Sequence, residues 1–325
     1  MSVVGIGLIG LGRHGLRYAA HLLEGAVPGA RLVAVCRRDR RAGEAYAAQH
    51  GLRFHATTEG LVADSQVHAV IVVTPPAQTL SIGLEAVRYR KALLIEKPLA
   101  CRGQDAAAIV QAAEGARVPL MVAQTLRFDP AVQALQAELP KLGRLHYLTL
   151  ANRVEPRSEV LADVAGYGGR GALLEIGIHL LDLIRFVTGD EVTHVQCEVD
   201  RMMPDGPESR AFATLRTAGG LACLLDASRV SGARVSRAEA VGSLGQITVD
   251  WVGHRVCRMV SRDETQEWTT ENRPTIVAAV SAFVESLRSS RPMPVTGLEG
   301  QRAVEIADAC YESAANGSAV TVRYG

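Results

Sequence analysis

The chain has 325 residues, 48% of them hydrophobic and 21% charged, which is enough apolar side chain for two separately cored domains. Lys and Arg total 35 against 34 Asp and Glu, a net charge of +1, so no overall field draws the protein to nucleic acid or to an anionic membrane surface. No apolar run approaches the roughly 18 residues of a membrane span, and MSVVGIGLIG lacks the basic region of a secretory leader, so a cytoplasmic protein with a small-molecule ligand is expected.

The first 123 residues alternate short apolar runs with helical stretches: VVGIGLI, a helix after Gly12, RLVAVC, a helix from about Ala42 to His50, HAVIVVT from His68, ALLIE at 92–96 and VPLMVA at 118–123. Strands alternating with helices imply a parallel sheet covered on both faces, and residues 1–123 are read as a doubly wound α/β domain. GLGRHG follows the first strand and opens a helix, the setting in which a GxGxxG loop holds a dinucleotide: Gly10 for the turn, Gly12 for close approach of the pyrophosphate, Gly15 for helix packing, and the helix N-terminus for the negative charge. Arg13 and His14 between these glycines are counted as cofactor-side residues. The second strand ends in Arg37 and Arg38, where an acid would bind the ribose of NAD and an arginine accommodates the phosphate of NADP. NADP is the expected cofactor, and the neighbouring Asp39 keeps NAD possible.

The third strand, HAVIVVT, leads into Thr74 and Pro75, counted with Glu96 on the cofactor side, and ALLIE runs directly into Glu96-Lys97-Pro98, which puts Lys97 beyond the carboxyl end of a parallel strand, where ligands bind. Only Lys91, Lys97 and Lys141 are lysines among the 35 basic residues. Arginine is the default cation of this chain, and a lysine at such a position suits bonding and polarising a hydroxyl or carbonyl.

After Gln124 the pattern changes. A helix near Pro130–Leu139 precedes HYLTLANRV, and after a second helical stretch come THVQCEV, AFATLRT, LACLLDASRV, AEAVGS and QITVDW, separated by turn residues. Consecutive strands on short turns predict a large, mainly antiparallel open sheet in a second α/β domain over 124–325, closed by helices at about 275–288 and 298–316. Six scattered cysteines without a CxxC pair are read as reduced.

The second helical stretch, GALLEIGIHLLDLIRF at 171–186, places Glu175, His179 and Asp182 at i, i+4 and i+7, on one face of a regular helix. ExxxH supplies two metal ligands with no third His or Cys at ligand spacing, so no metal is expected. A satisfied core network and an acid/base site both remain open on this spacing alone. The independent Lys97 and the glycine loop favour the acid/base reading.

Together GLGRHG, EKP at 96–98, RFDP at 127–130, GGRGALLEIGIHLLD at 168–182 and PVTGLEGQRAVEIADACYESAANG at 294–317 resemble the glucose-fructose oxidoreductase/inositol dehydrogenase/rhizopine catabolism (Gfo/Idh/MocA) family, over nearly the whole chain. The resemblance implies a Rossmann domain, an open-sheet domain used for homodimer or homotetramer contacts, and hydride transfer between nicotinamide and a carbon of a sugar or cyclitol. It implies Lys97, Glu175 and His179 as catalytic residues that also bind substrate. His179 would move the hydroxyl proton, Lys97 would bond the reacting oxygen, Glu175 would orient the histidine or bind a neighbouring hydroxyl, and Asp182 would support them. Arg127 and Tyr167 are added as substrate-side candidates, with Arg153 and Arg170 behind them. Three positions depart from the family pattern: Glu175 stands for aspartate, Pro76 for asparagine after Thr74-Pro75, and Thr79 for a histidine. The resemblance also covers an alternative, a glycoside hydrolase holding NAD, and a non-catalytic NAD(P)-binding regulatory protein is a third reading.

Overall fold

The computed structural model describes residues 3–156, 165–203 and 206–325. They form two compact units, Met1–Gln124 with Pro274–Gln301, and Thr125–Arg273 with Arg302–Gly325. The first unit holds β1 (Val4–Ile9), α1 (Arg13–Leu23), β2 (Ala30–Cys36), α2 (Arg40–His50), β3 (Arg53–His55), α3 (Thr58–Ala63), β4 (Ala69–Val72), α4 (Thr79–Arg88), β5 (Ala92–Glu96), α5 (Gly103–Ala116) and β6 (Leu120–Ala123). Its six strands lie in the order β3-β2-β1-β4-β5-β6, all parallel. Every residue of β4, β5 and β6 is buried, because helices cover both faces, and this is why these strands read as unbroken apolar runs.

The second unit contributes α6 (Pro130–Glu138), β7 (Leu145–Arg153), a π turn (Leu173–Gly177) that runs into α7 (Ile178–Thr188), and β8 (Val192–Asp200), β9 (Arg210–Thr217), β10 (Ala222–Ser228), β11 (Val235–Gly242), β12 (Gly245–Asp250), β13 (Arg255–Met259) and β14 (Thr265–Thr269). The chain closes with α8 (Thr275–Ser289), α9 (Gly297–Asn316) and β15 (Val320–Thr321). The nine strands are ordered β14-β13-β12-β11-β7-β10-β9-β8-β15, with β7 and β10 parallel and the other pairs antiparallel. In β9 buried and exposed residues alternate, so one face of the sheet is cored and the other is open. Tyr147, Phe212 and Leu224 are exposed large side chains on β7, β9 and β10.

The sequence reading leaves everything beyond residue 123 in the second domain, whereas Pro274–Gln301 packs with the first unit. Edge strand β6 supplies the reason. The Val122 N–H donates to the Val295 carbonyl at 3.1 Å and Met121 bridges Thr296, so the returning chain covers an otherwise unpaired edge. Helix α8 packs against β6 with Phe283 fully buried. Truncating Phe283 to alanine should therefore destabilise the protein by about 3–5 kcal/mol, read as a lowered urea midpoint; an unchanged midpoint would show that α8 is not part of this core.

Candidate active site

The glycine loop is fixed by three different contacts. Gly10 has φ +99°, and a Cβ there would lie 2.2 Å from the Val73 carbonyl oxygen; one on Gly15 would lie 1.9 Å from the Gly10 carbonyl oxygen. Neither position admits a side chain, since the loop must turn over β4 and α1 must start against it. Around Gly12 no atom of the described residues lies within 4 Å of a Cβ, so among them the backbone at the N-terminus of α1 is open to a ligand. The Gly10 N–H donates to the Cys36 carbonyl at 3.0 Å, which ties this loop to the end of β2. Thr74, beside Gly10 at the end of β4, keeps a buried Oγ1 with no partner among the described residues. A turn with open backbone at a helix start and an orphaned hydroxyl at the next strand end fits a bound pyrophosphate.

Beyond β2, Arg38 is exposed and Arg37 half-buried. Asp39 is committed elsewhere: it caps α2, its Oδ1 accepting the Ala42 N–H at 3.1 Å. Burial, and then the charge of Glu85, push the Cys36 thiol up to about 11, so this neighbour adds no negative charge to the arginine pair.

At the end of β5, Glu96 is buried in apolar surroundings and is held by three donors. His14 Nε2 lies 2.8 Å from Oε1, the Tyr18 hydroxyl donates to Oε1 at 2.5 Å, and the Lys97 N–H donates to Oε2 at 2.9 Å. Burial raises the Glu96 carboxyl, but the His14 hydrogen bond and charge, the Lys97 charge and the Tyr18 hydrogen bond together hold it below the ordinary carboxylate range. Burial and the charge of Glu96 keep the Tyr18 hydroxyl protonated well above its usual range, so it remains a donor. Glu96 thus links α1 to the segment that presents Lys97, a structural role for two residues expected on the cofactor side. Tyr18 was not visible as a participant, since it looks like any aromatic on the apolar face of α1. Thr79, fully buried, directs its hydroxyl at the carbonyls of Pro76 (2.8 Å) and Leu99 (2.7 Å), steadying the same segment from α4.

In the second unit the expected regular helix begins as a π turn, which closes i to i+5. This displaces Glu175 from the single face that α-helical spacing predicts for it with His179 and Asp182. The turn is anchored by a residue the sequence did not reveal. Glu208, buried, accepts the N–H groups of Gly171 (2.8 Å) and Leu173 (3.1 Å) and the Tyr311 hydroxyl (2.6 Å), placing a carboxylate at a helix start where unsatisfied donors collect. A Cβ on Gly171 would meet the Glu208 carbonyl at 2.1 Å. Gly177 sits 3.2 Å from the Ala227 Cβ by the same measure, which brings the turn against β10.

The two acids of this segment each take an arginine fork. Arg229, just beyond β10, donates through Nε to Glu175 Oε2 and through Nη2 to Oε1. Arg127 donates through Nε and Nη2 to Asp182 Oδ2 and Oδ1 at 2.8 and 2.7 Å, with both residues buried. Arg127, expected on the substrate side, therefore has a structural partner, because a buried carboxylate requires a cation. Arg170 donates to Asp308 at 2.5 Å and stacks over Tyr311, and Arg153 donates to Asp226 at 2.6 Å. Tyr167 ends a short 3₁₀ turn and His179, on α7, is half-buried. Among the described residues no group of three or more His, Cys, Asp or Glu gathers to hold a metal, and no helix is long and apolar enough to cross a membrane.

The fold and these motifs define an NAD-binding oxidoreductase. The chain belongs to the Gfo/Idh/MocA family: residues 4–124 match the family's NAD-binding Rossmann domain and residues 140–248 match a Gfo/Idh/MocA C-terminal domain. It is 30% identical to inositol 2-dehydrogenase 2 of Saccharopolyspora erythraea over 98% of this chain and 95% of that protein. It is 25% identical to the scyllo-inositol 2-dehydrogenase (NAD(+)) of Bacillus subtilis over 96% and 94%. The crystal structure of an oxidoreductase domain protein from Kribbella flavida superimposes with a TM-score of 0.89 at 21% identity, covering 99% of this chain and 100% of that one.

Two outcomes follow from the paired acids. Asp182→Ala leaves Arg127 buried without its counter-ion and should cost about 3–5 kcal/mol, measured by denaturant unfolding; a loss below about 1 kcal/mol would show the pair to be dispensable. The depressed Glu96 carboxyl binds its proton less readily in the fold than in the unfolded chain. Its contribution is therefore complete above the unfolded value, about 4.3, and is lost as pH falls through the lower folded value. Glu96→Gln should lower stability near neutral pH and flatten the acid-side decline, whereas an equally steep decline in both proteins would contradict the assignment.

Proposed function

We propose that the protein is an NADP-preferring dehydrogenase or ketoreductase acting on a sugar, cyclitol or related polyhydroxy compound. The observation that carries this reading is the cluster at the carboxyl ends of β1, β4 and β5: open backbone at Gly12, the orphaned Thr74 hydroxyl, and Lys97 on a segment pinned through Glu96 and Thr79. Gly10, Gly12, Gly15, Arg13, Thr74 and Pro75 would hold the dinucleotide, with Arg37 and Arg38 at its ribose phosphate. The helix-capping role of Asp39 supports the preference for NADP, because its carboxylate is already engaged by the backbone. When bound, the nicotinamide supplies the hydride acceptor or donor.

In this reading Lys97 donates a hydrogen bond to the reacting oxygen and stabilises negative charge on it. His179 removes the hydroxyl proton during oxidation and returns it during reduction, as an imidazole can near neutral pH. Glu175, held by Arg229, binds an adjacent part of the substrate, and Tyr167 remains a substrate-side residue. The inositol dehydrogenases among its relatives support a cyclitol or sugar as the substrate class. The open sheet face bearing Tyr147, Phe212 and Leu224 supports assembly into a homodimer or homotetramer.

Lys97→Met and His179→Ala should each lower turnover by at least about 100-fold while thermal shifts with NADP(H) persist. Retained turnover in both variants would remove these residues from the chemistry. Replacing Arg37 and Arg38 together by serine should weaken NADP+ at least about tenfold, the scale of a lost charged hydrogen bond, with NAD+ changed by less than about twofold. Equal loss of both cofactors would contradict the NADP preference.

A further inference from the structure

The first four N–H groups of a helix have no partner within it, and at the start of the His179 helix all of them are taken by two residues remote in the chain. The Glu175 N–H closes the first turn on the Gly171 carbonyl at 2.9 Å, which leaves the donors of Gly171, Ala172, Leu173 and Leu174. Glu208 meets the first three: Oε2 accepts the Gly171 N–H at 2.8 Å, the main-chain carbonyl accepts that of Ala172 at 2.9 Å, and Oε1 accepts that of Leu173 at 3.1 Å. The Leu174 N–H donates to the Tyr311 hydroxyl, which itself donates to Glu208 Oε1 at 2.6 Å. The next residue, Ser209, accepts the Arg229 N–H through its carbonyl at 2.8 Å. One stretch of backbone therefore fixes both the helix start and the arginine that pairs with Glu175.

This cap also discriminates between helical registers. A π turn takes up one residue more than the α-helical path, so a return to α spacing would slide the chain ahead of it by one residue. The slide would bring Arg170 or Ala172 to the place of Gly171, where a Cβ would lie 2.1 Å from the Glu208 carbonyl oxygen and 3.0 Å from its nitrogen. Each acceptor would then also face the wrong donor. We propose that Glu208 and Tyr311 are positioning residues for the reaction: they lock this turn in its π register and thereby set where Glu175 stands relative to His179. This rests on the dehydrogenase reading above. One residue of register turns a side chain by about 100° around a helix axis, and a misplacement of about 1 Å can cost roughly 100-fold in rate. Both residues act through the turn and leave cofactor binding, which belongs to the first unit, untouched.

The test measures kcat and KM for the best substrate of a polyol and keto-sugar panel in wild type, Tyr311→Phe, Glu208→Gln and the double variant, with rates expressed per NADP(H)-binding site. Phenylalanine removes the hydroxyl and keeps the ring, and glutamine keeps the main-chain acceptor but loses one of the two carboxylate oxygens. Each single variant should lower kcat at least about tenfold, with KM for NADP(H) within about twofold of wild type. The double variant should lose no more than the worse single one, because residues that act as a unit are not additive. A merely structural cap would lower the urea midpoint and leave kcat per binding site within about twofold; that result, or additive losses in the double variant, overturns this inference and leaves the dehydrogenase reading standing. A wild type that binds NADP(H) but oxidises or reduces no member of the panel overturns both. If Glu208→Gln does not fold, Tyr311→Phe decides by the same comparison of kcat with KM.

Discussion

A carboxylate can leave water only where donors or a cation replace its hydration, and in this protein that constraint organises the candidate segments of each unit. Four buried acids carry it. Glu96 is satisfied by His14, Tyr18 and the Lys97 N–H, Glu208 by two backbone N–H groups and Tyr311, Glu175 by Arg229, and Asp182 by Arg127. Each ties a functional segment to a neighbouring element. Glu96 fixes the Lys97 segment to α1, and Glu208 caps the turn that begins the His179 helix. The two arginine forks lock that helix to the end of β10 and to the segment before α6. Removing Arg127 or Arg229 would leave a buried charge uncompensated, so these attachments hold the Lys97 segment within the first unit and the His179 helix within the second.

Most of the first unit was legible because its signals are local. Strand runs of β1, β2, β4 and β5, the glycine loop and its three distinct roles, and the EKP segment after β5 all follow from residues adjacent in the chain. The second sheet was legible as a class, since alternating strands on short turns specify an open antiparallel arrangement. Its one parallel pair, β7 with β10, joins strands distant in sequence, which no local pattern encodes. The short β3, α3 and β15 carry too few residues for a period to show. The return of Pro274–Gln301 to the first unit depends on which edge is left unpaired after the sheet forms, a property of the assembled sheet alone.

The site was legible in its residue types and not in its partnerships. Glu175, His179 and Asp182 were drawn from helical spacing, but the π turn, Arg229 and Glu208 were not. A π turn differs from an α-helix by one residue of hydrogen-bond register and leaves no mark in apolar spacing. Arg229 and Glu208 are 54 and 33 positions from Glu175 in the chain and look like ordinary charges at strand ends. Burial of Glu175 and Asp182 was the available clue: an acid on an apolar helix needs a cation, and this chain has abundant arginine and almost no lysine. That reasoning gives Arg127, a substrate-side candidate, a place as the counter-ion of Asp182.

The most direct test of the account follows hydrogen itself. The protein would be incubated with NADP+ and cyclitols or aldoses carrying deuterium on the hydroxyl-bearing carbons, and the cofactor analysed by mass spectrometry. The account predicts NADPH that accumulates with one deuterium taken from the substrate carbon, in wild type and not in Lys97→Met. Substrate conversion without net reduced cofactor, or reduced cofactor free of the label, would contradict it.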